Sequence, residues 1–292
     1  MPEAVTVARL VDAAETVLAA AGVPTPRPDA ELLVGHVTGL SRSELALEGS
    51  RAVSDAEQER VEDLVGRRAT REPLQYVLGE WGFRRLTLTV DRRALVPRPE
   101  TEVVVERCLA LLAGREHPRV LDVGTGSGAI ALAIADEHLG ARVTGVDASE
   151  DALGLARENA DRTGLDLELR RHDLFSGLPA GPWDLVVSNP PYVEPGDLHV
   201  LQPEVREWEP HAALVGYGAT EAVARGAVDV LGPGGGLVLE VADGTAASVG
   251  ALLDDLGYQD VRATADLTGR DRAVEGVHPA TERIPYPHRD EH

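Results

Sequence analysis

No lysine occurs anywhere in the chain, and all 28 basic residues are arginine. That removes Schiff-base chemistry and any phosphate loop built on a lysine side chain. Cysteine is almost as scarce: the single Cys108 sits in an apolar run. No internal disulfide can form, a reducing compartment suits the chain, and the thiol is read as core filling. No apolar run approaches the ~18 residues that a membrane span needs, and no basic leader with an apolar block and a cleavage site precedes the first helical pattern. A cytoplasmic location is therefore the expectation. Positive charge is outweighed as well: 49 acids leave a net charge of −21, which repels a phosphate backbone, so no nucleic-acid partner is expected. Metal ligands are not grouped. His288 and His292 stand four apart near the C-terminus, but without a third ligand no metal is expected.

What remains is a chain of 292 residues, 43% of them apolar, enough for one large domain and a small one. Val7, Leu10, Val11, Ala14, Val17, Leu18 and Ala21 recur at helical spacing before Gly22 and Pro24. Pro28 opens a second helix ending before Gly39. Ser41 or Ser43 caps a short third, and Ser54 with Glu57 forms a capping box for a fourth that runs towards Thr70. Residues 1–75 thus form a small helical bundle with no catalytic constellation of its own. Alternation from Leu86 to Val90 predicts half of a hairpin, and residues 76–100 serve as a hairpin and proline-rich linker. Five arginines and one acid, Asp91, lie between Arg84 and Arg98, in an otherwise acidic chain. This stretch, together with the bundle, is the expected holder of a macromolecular substrate.

From Arg119 the pattern becomes strand, helix, strand. Val120–Val123 runs into the turn Gly124-Thr-Gly-Ser-Gly128, which opens the helix Ala129–Ala135. Such glycines allow close backbone approach, and helix N–H groups favour an anion. The next strand ends at Asp147, 19 residues beyond Gly128, where a carboxylate can grip ribose hydroxyls. A third strand leads into His172-Asp173-Leu174-Phe175, and a fourth, Trp183–Ser188, into Asn189-Pro190-Pro191-Tyr192. The two prolines carry carbonyls without N–H groups, Asn189 adds another acceptor, and Tyr192 adds a flat wall. This combination suits a planar –NH2 group. The connection from Glu194 to Gly218 is long and aperiodic, and is expected to lie over the site. Gly232–Gly236 reads as a turn, and two closely spaced final strands are expected to be antiparallel.

Gly124, Gly126 and Ala129 also satisfy the loose dinucleotide fingerprint, so a nicotinamide dehydrogenase competes. Asp122 before the turn, the third glycine and the amine-binding turn favour S-adenosylmethionine instead. Its adenine is expected near Asp173 and Leu174, its ribose on Asp147, and its amino-acid end beside Gly124, Thr125, Gly126, Ser127 and Gly128. The expected fold is α/β: a Rossmann-like class I S-adenosylmethionine-dependent methyltransferase sheet over residues 101–278, after the helical bundle and before a loose tail, 279–292.

With these residues in view, the chain resembles the PrmC/HemK family of release factor glutamine methyltransferases. The likeness rests on Pro73-Leu-Gln-Tyr-Val-Leu-Gly79, Val96-Pro-Arg-Pro-Glu-Thr-Glu102, Val123-Gly-Thr-Gly-Ser-Gly-Ala-Ile130, Ser188-Asn-Pro-Pro-Tyr192 and Leu267-Thr-Gly-Arg-Asp-Arg272. Asn-Pro-Pro-Tyr is shared with DNA and RNA amino-methyltransferases, whereas Pro97–Thr101 is more specific. The segment Leu214–Thr220 departs from the Gly-Gly-x-Asp-Gly common in the family. The resemblance implies methylation of the glutamine amide in the Gly-Gly-Gln motif of class I release factors, with Asn189, Pro190 and Tyr192 catalytic. Asn189, Pro190, Pro191, Tyr192, Arg98 and Glu100 are the implied substrate contacts, and Asn189 also borders the cofactor. An adenine amino-methyltransferase and a non-catalytic module that binds a nucleotide-like ligand remain as alternatives. The first lacks a basic recognition domain, and the second leaves the Asn189–Tyr192 turn without a purpose.

Overall fold

The computed structural model describes residues 5–279; the expected tail from residue 280 on, with His288 and His292, lies outside them. In chain order the helices and strands are α1 (Val7–Ala20), α2 (Pro26–Thr38), α3 (Arg42–Leu47), α4 (Asp55–Ala69), α5 (Leu74–Leu78), β1 (Glu80–Phe83), β2 (Leu86–Thr89), α6 (Glu102–Leu112), β3 (Arg119–Val123) and α7 (Ala129–Glu137). There follow β4 (Arg142–Asp147), α8 (Glu150–Thr163), β5 (Glu168–Arg171), β6 (Trp183–Ser188), α9 (Pro203–Arg206) and α10 (His211–Leu214). The chain continues through α11 (Ala219–Val230), β7 (Leu231–Glu240), α12 (Ala246–Asp255), β8 (Gln259–Ala265) and β9 (Asp271–Val277). These fall into two compact units. One takes the chain up to residue 81 with 90–92 and 199–209; the other takes 82–89, 93–198 and 210 onward.

The first unit is helical. Leu10, Val11, Ala14 and Leu18 of α1 share a core with Leu33 and Val34 of α2 and Val61, Leu64 and Val65 of α4, the stripe expected from their 3.6-residue spacing. Ser41 and Ser54 each accept from the N–H of the glutamate three residues on, and each glutamate accepts from the serine N–H in return. Helix α2 starts at Pro26, two residues earlier than expected, because a first-turn proline needs no N–H partner at either position. Helix α5, within the Pro73–Gly79 motif, was not expected from periodicity; it is little more than one turn, ended by Gly79 at φ 78°.

Residues 199–209 belong to this helical unit for an ionic reason. Glu204 accepts from Arg71 at 2.7 and 2.6 Å and pairs with Arg68 at 2.9 Å, while Arg68 donates to Asp29 at 2.8 Å. Arg68, Asp29 and Glu204 are all buried, and buried charges persist only when paired in this way. The connection 194–218 is thus divided: 199–209 belongs to the helical unit, and Pro210, Ala212, Ala213, Val215 and Gly216 line the cleft of the other.

The second unit is a three-layer α/β sandwich around a seven-stranded sheet of order β5-β4-β3-β6-β7-β9-β8. Pairing is parallel from β5 to β7, and β9 and β8 are antiparallel, as their short connection demands. Alternate residues feed two cores. Val120, Leu185 and Val238 join α6 and α7 on one face; Leu121, Val186 and Leu239 join α11 and α12 on the other. Cys108 is fully buried in the first, and burial pushes its thiol up. Strand β7 runs through Gly232–Gly236 with an irregular register against β6, where the sequence suggested a turn. A Cβ at Gly236 would stand 2.8 Å from the Cδ1 of Leu111, so any larger residue there shifts that side chain.

Candidate active site

The chain runs β3-β4-β5 to one side of β3 and β6-β7 to the other, so β3 and β6 flank a switch point, where open α/β sheets bind ligands beyond the strand ends. Register fixes what meets there. Val123 pairs with Ser188, and the Ser188 hydroxyl donates to the Val123 carbonyl at 2.7 Å. Gly124 and Asn189, 65 residues apart in sequence, therefore leave neighbouring strands side by side. A cleft of about 410 Å³ opens beyond them, within the ~300–1,000 Å³ range of small-molecule sites.

Gly124, Gly126 and Gly128 have φ of 73°, 56° and 82°, backbone that side chains rarely adopt. Gly128 also lies tight against α8, where a Cβ would stand 3.3 Å from that of Ala156. Gly124 and Thr125 N–H groups donate to the Val146 carbonyl at 2.8 and 3.0 Å, and Gly128 N–H to the Thr125 carbonyl at 2.8 Å. Asp147 accepts from Gly126 N–H at 3.0 Å and Ser149 N–H at 2.9 Å. The turn's amides are thus largely committed to shaping it. Each Asp147 oxygen keeps a further lone pair for a ribose hydroxyl. Beneath the turn, Asp122 is buried and accepts from the Thr125 hydroxyl at 2.6 Å. Burial pushes its carboxyl up to about 7, against the pull of that hydroxyl.

Gly124, Thr125, Gly126, Ser127, Asp147, Asp173, Leu174 and Asn189 all line the cleft; Gly128 stands behind it. Asp173 accepts from Phe175 N–H through one oxygen, which leaves the other for an amino group. Leu174, Ala148 and Pro191 supply apolar walls. An adenosyl ligand with a charged amino-acid end fits this donor set and these walls. His172, whose Nε2 lies 2.6 Å from the Gly177 carbonyl, and Ser149 also line the cleft. Both were missed, although each lies within two residues of one that the sequence did single out, Asp173 and Asp147.

In the turn after β6, Asn189 and Pro191 line the cleft, Pro190 is buried, and Tyr192 is 39% exposed. Arg98 and Thr101 line it as well, while Glu100 is half-buried beside them. Segment 210–216 backs the turn: Val193 N–H donates to the Leu214 carbonyl at 2.9 Å, and Val193 bridges Val215. Gly216 abuts Pro191 so closely that a Cβ would stand 2.3 Å from the ring. The segment that departs from the family pattern thus keeps a glycine where backbone contact requires one. Among the Arg84–Arg98 arginines, Arg84 pairs with Glu137, Arg85 with Asp136 and Arg93 with Glu158, and Arg92 stacks on Trp208. Much of that positive charge is neutralised within the chain.

Fold and cleft together define a class I S-adenosylmethionine-dependent methyltransferase. Residues 9–79 match the PrmC N-terminal domain and residues 102–206 the methyltransferase small domain. A release factor glutamine methyltransferase of Deinococcus radiodurans is 44% identical over 88% of this chain and 93% of its own length. One from Geobacter sulfurreducens is 39% identical over 94% and 98%. A 16S rRNA N2 methyltransferase of T. thermophilus, solved in complex with AdoMet and guanosine, shares the fold at a TM-score of 0.51. That match has 18% identity and covers 68% of this chain and 49% of that one. The chain belongs to the release factor glutamine methyltransferase family.

Proposed function

We infer that the chain methylates the side-chain amide nitrogen of the glutamine in the Gly-Gly-Gln motif of class I release factors. The observation that supports this most is the pairing of β3 with β6, which sets the cleft lined by Gly124–Ser127 and Asp147 directly beside the acceptor-rich turn Asn189–Tyr192. When bound, S-adenosylmethionine supplies an electrophilic methyl group whose S–C bond breaks as the N–C bond forms. Gly124–Ser127, Asp147, Asp173 and Leu174 would hold it, with Asn189 at its reactive end. The amide nitrogen is a poor nucleophile because its lone pair is delocalised into the carbonyl. The Asn189 side-chain oxygen and the Pro190 carbonyl accept its two N–H groups and aim that lone pair, and these bonds tighten as the nitrogen gains positive character. No strong base is needed, since the methylated nitrogen sheds its proton readily. Tyr192 flanks the amide plane, and Pro191, Arg98 and Glu100 border the entering peptide. The helical unit serves as a docking platform for the rest of the substrate.

Incubation with labelled S-adenosylmethionine and, separately, a class I release factor, ribosomal proteins, DNA and RNA tests this reading. Label should enter the release factor and vanish when its glutamine is replaced. Label entering nucleic acid alone would overturn it.

A further inference from the structure

Strand β7 ends at Glu240, one residue past Leu239, whose partner on β6 is Ser188. The carboxyl therefore stands in line with Asn189 at the same edge of the sheet. Because Val238 faces the α6 side and Leu239 the other, alternation turns Glu240 towards the entry of α6, where the loop Pro97–Thr101 arrives. It is 2% exposed, and its Oε2 has no hydrogen-bond partner. The hydroxyl of Thr101, buried and lining the cleft, likewise has no partner within 3.5 Å, yet it faces the carboxyl closely enough to favour its ionised form. Buried polar atoms are normally satisfied, and exceptions gather at functional sites. The charged groups that face this carboxyl come from separate elements: Arg98 and Glu100 from the loop before α6, and Arg272 from β9. Tyr192, after β6, feels the Glu240 charge in turn. Burial pushes the carboxyl up to about 7, while Thr101, Arg272 and Arg98 pull it down and Glu100 pushes it up.

We propose that ionised Glu240 is a positioning and electrostatic residue for methyl transfer: it ties the Arg98–Thr101 loop to the acceptor turn and sets a negative charge behind the amide nitrogen. The role rests on the glutamine-methylation reading. Methyl transfer moves a positive charge from the cofactor end of the cleft to the acceptor end, and a fixed carboxylate behind the acceptor favours that movement. The protonated acid has no such effect. Turnover should therefore rise with pH and level off once Glu240 is ionised.

Glu240→Gln keeps the shape and removes the titration. In the wild type, kcat for methylation of a release factor should climb with a midpoint near 7. In Glu240→Gln it should be about tenfold lower on the plateau and flat across that range, with KM and cofactor affinity within about twofold of native. Thr101→Val should move the midpoint upward, because a group that favours the ionised form is lost. A second readout needs no turnover. The folded carboxyl holds its proton more tightly than the unfolded one, ordinarily at 4.5, so folded stability falls as pH rises between those values. Glu240→Gln should lose that part of the slope in melting curves. A merely structural Glu240 would lower the melting temperature of the variant while leaving the kcat–pH rise intact, and that result overturns the proposal. So does a Gln variant that is more active than wild type below neutrality. If wild-type protein labels no release factor at any pH, the glutamine-methylation reading itself fails, a result distinct from a wild type that works with an unaltered Gln variant.

Discussion

Gly216 offers a test of whether the acceptor turn is held from behind. A Cβ at this position would stand 2.3 Å from Cγ, 2.8 Å from Cβ and 2.8 Å from the carbonyl oxygen of Pro191. Carbon atoms rest about 3.5–4.0 Å apart, so Gly216→Ala must move one chain from the other by roughly 1 Å. The proline ring cannot swing aside, because its φ is locked. The bond from Val193 N–H to the Leu214 carbonyl resists separation of the two segments, so the strain falls on Pro191 and, through Pro190, on Asn189. Overpacking of this kind costs about 1–3 kcal/mol in stability, and a misplacement near 1 Å costs about 10²-fold in rate. Gly218→Ala is the control: its φ is 74°, yet nothing lies within 4 Å of the new methyl. It should lose about 1–2 kcal/mol to left-handed backbone strain and keep native turnover. The pair should therefore melt lower by similar amounts, about 2–4 °C per kcal/mol, and differ sharply in single-turnover methylation of a release factor. A native rate for Gly216→Ala, or equal losses in both variants, would refute the argument.

Asp147→Ala should weaken S-adenosylmethionine by at least about tenfold in calorimetry, since each charged hydrogen bond to the ribose is worth ~1.5–3 kcal/mol; unchanged affinity in a folded protein removes the ribose assignment. Asn189→Ala should lower kcat by about 10²–10³-fold with little change in cofactor affinity; a residue that only shapes the turn would instead lower the melting temperature and spare turnover. Asp122, ordinarily near 3.8, is pushed up to about 7 in the folded chain by burial. The folded state therefore binds the extra proton, and stability should fall as pH climbs between those values, by an amount on the order of 4 kcal/mol. Asp122→Asn should flatten that part of a melting-temperature profile, and an unchanged slope would assign the titration elsewhere.

The alternation of short apolar strands with helices was legible in the sequence because β3, β4 and β6 are buried on both faces and read as short runs rich in Val and Leu, bounded by turn formers. Gly124–Gly128, Asp147 and Asn189–Tyr192 were legible for a related reason: their chemistry sits at strand ends that such runs announce. Helix α5 escaped because five residues carry too little periodicity to register. The glycines inside β7 read as a turn, since nothing local reveals that the strand continues through them to pair with β6. Glu240 looked like any polar residue closing a strand. Its importance depends on its register beside Ser188, some fifty residues earlier, and on a loop that arrives from before α6. The division of 194–218 was hidden for the same reason, because Glu204 finds its arginines over 130 positions away.

The exposure gradient across the cleft bears on the kind of acceptor that it serves. At the glycine-turn end, Val123, Thr125, Ser127 and Ala152 are buried and the turn is pinned to β4 by backbone hydrogen bonds. At the other end Asn189 is only half-buried and Tyr192 is 39% exposed. A small metabolite is usually enclosed on most sides by its site, whereas a side chain presented by another protein brings part of its own enclosure. On the proposed reading, Asn189 and Pro190 grip a planar amide while the surrounding protein of the substrate covers Tyr192. Water exclusion, which a half-open turn cannot achieve alone, becomes a property of the complex, so truncating the substrate to a short glutamine peptide should depress kcat as well as raise KM.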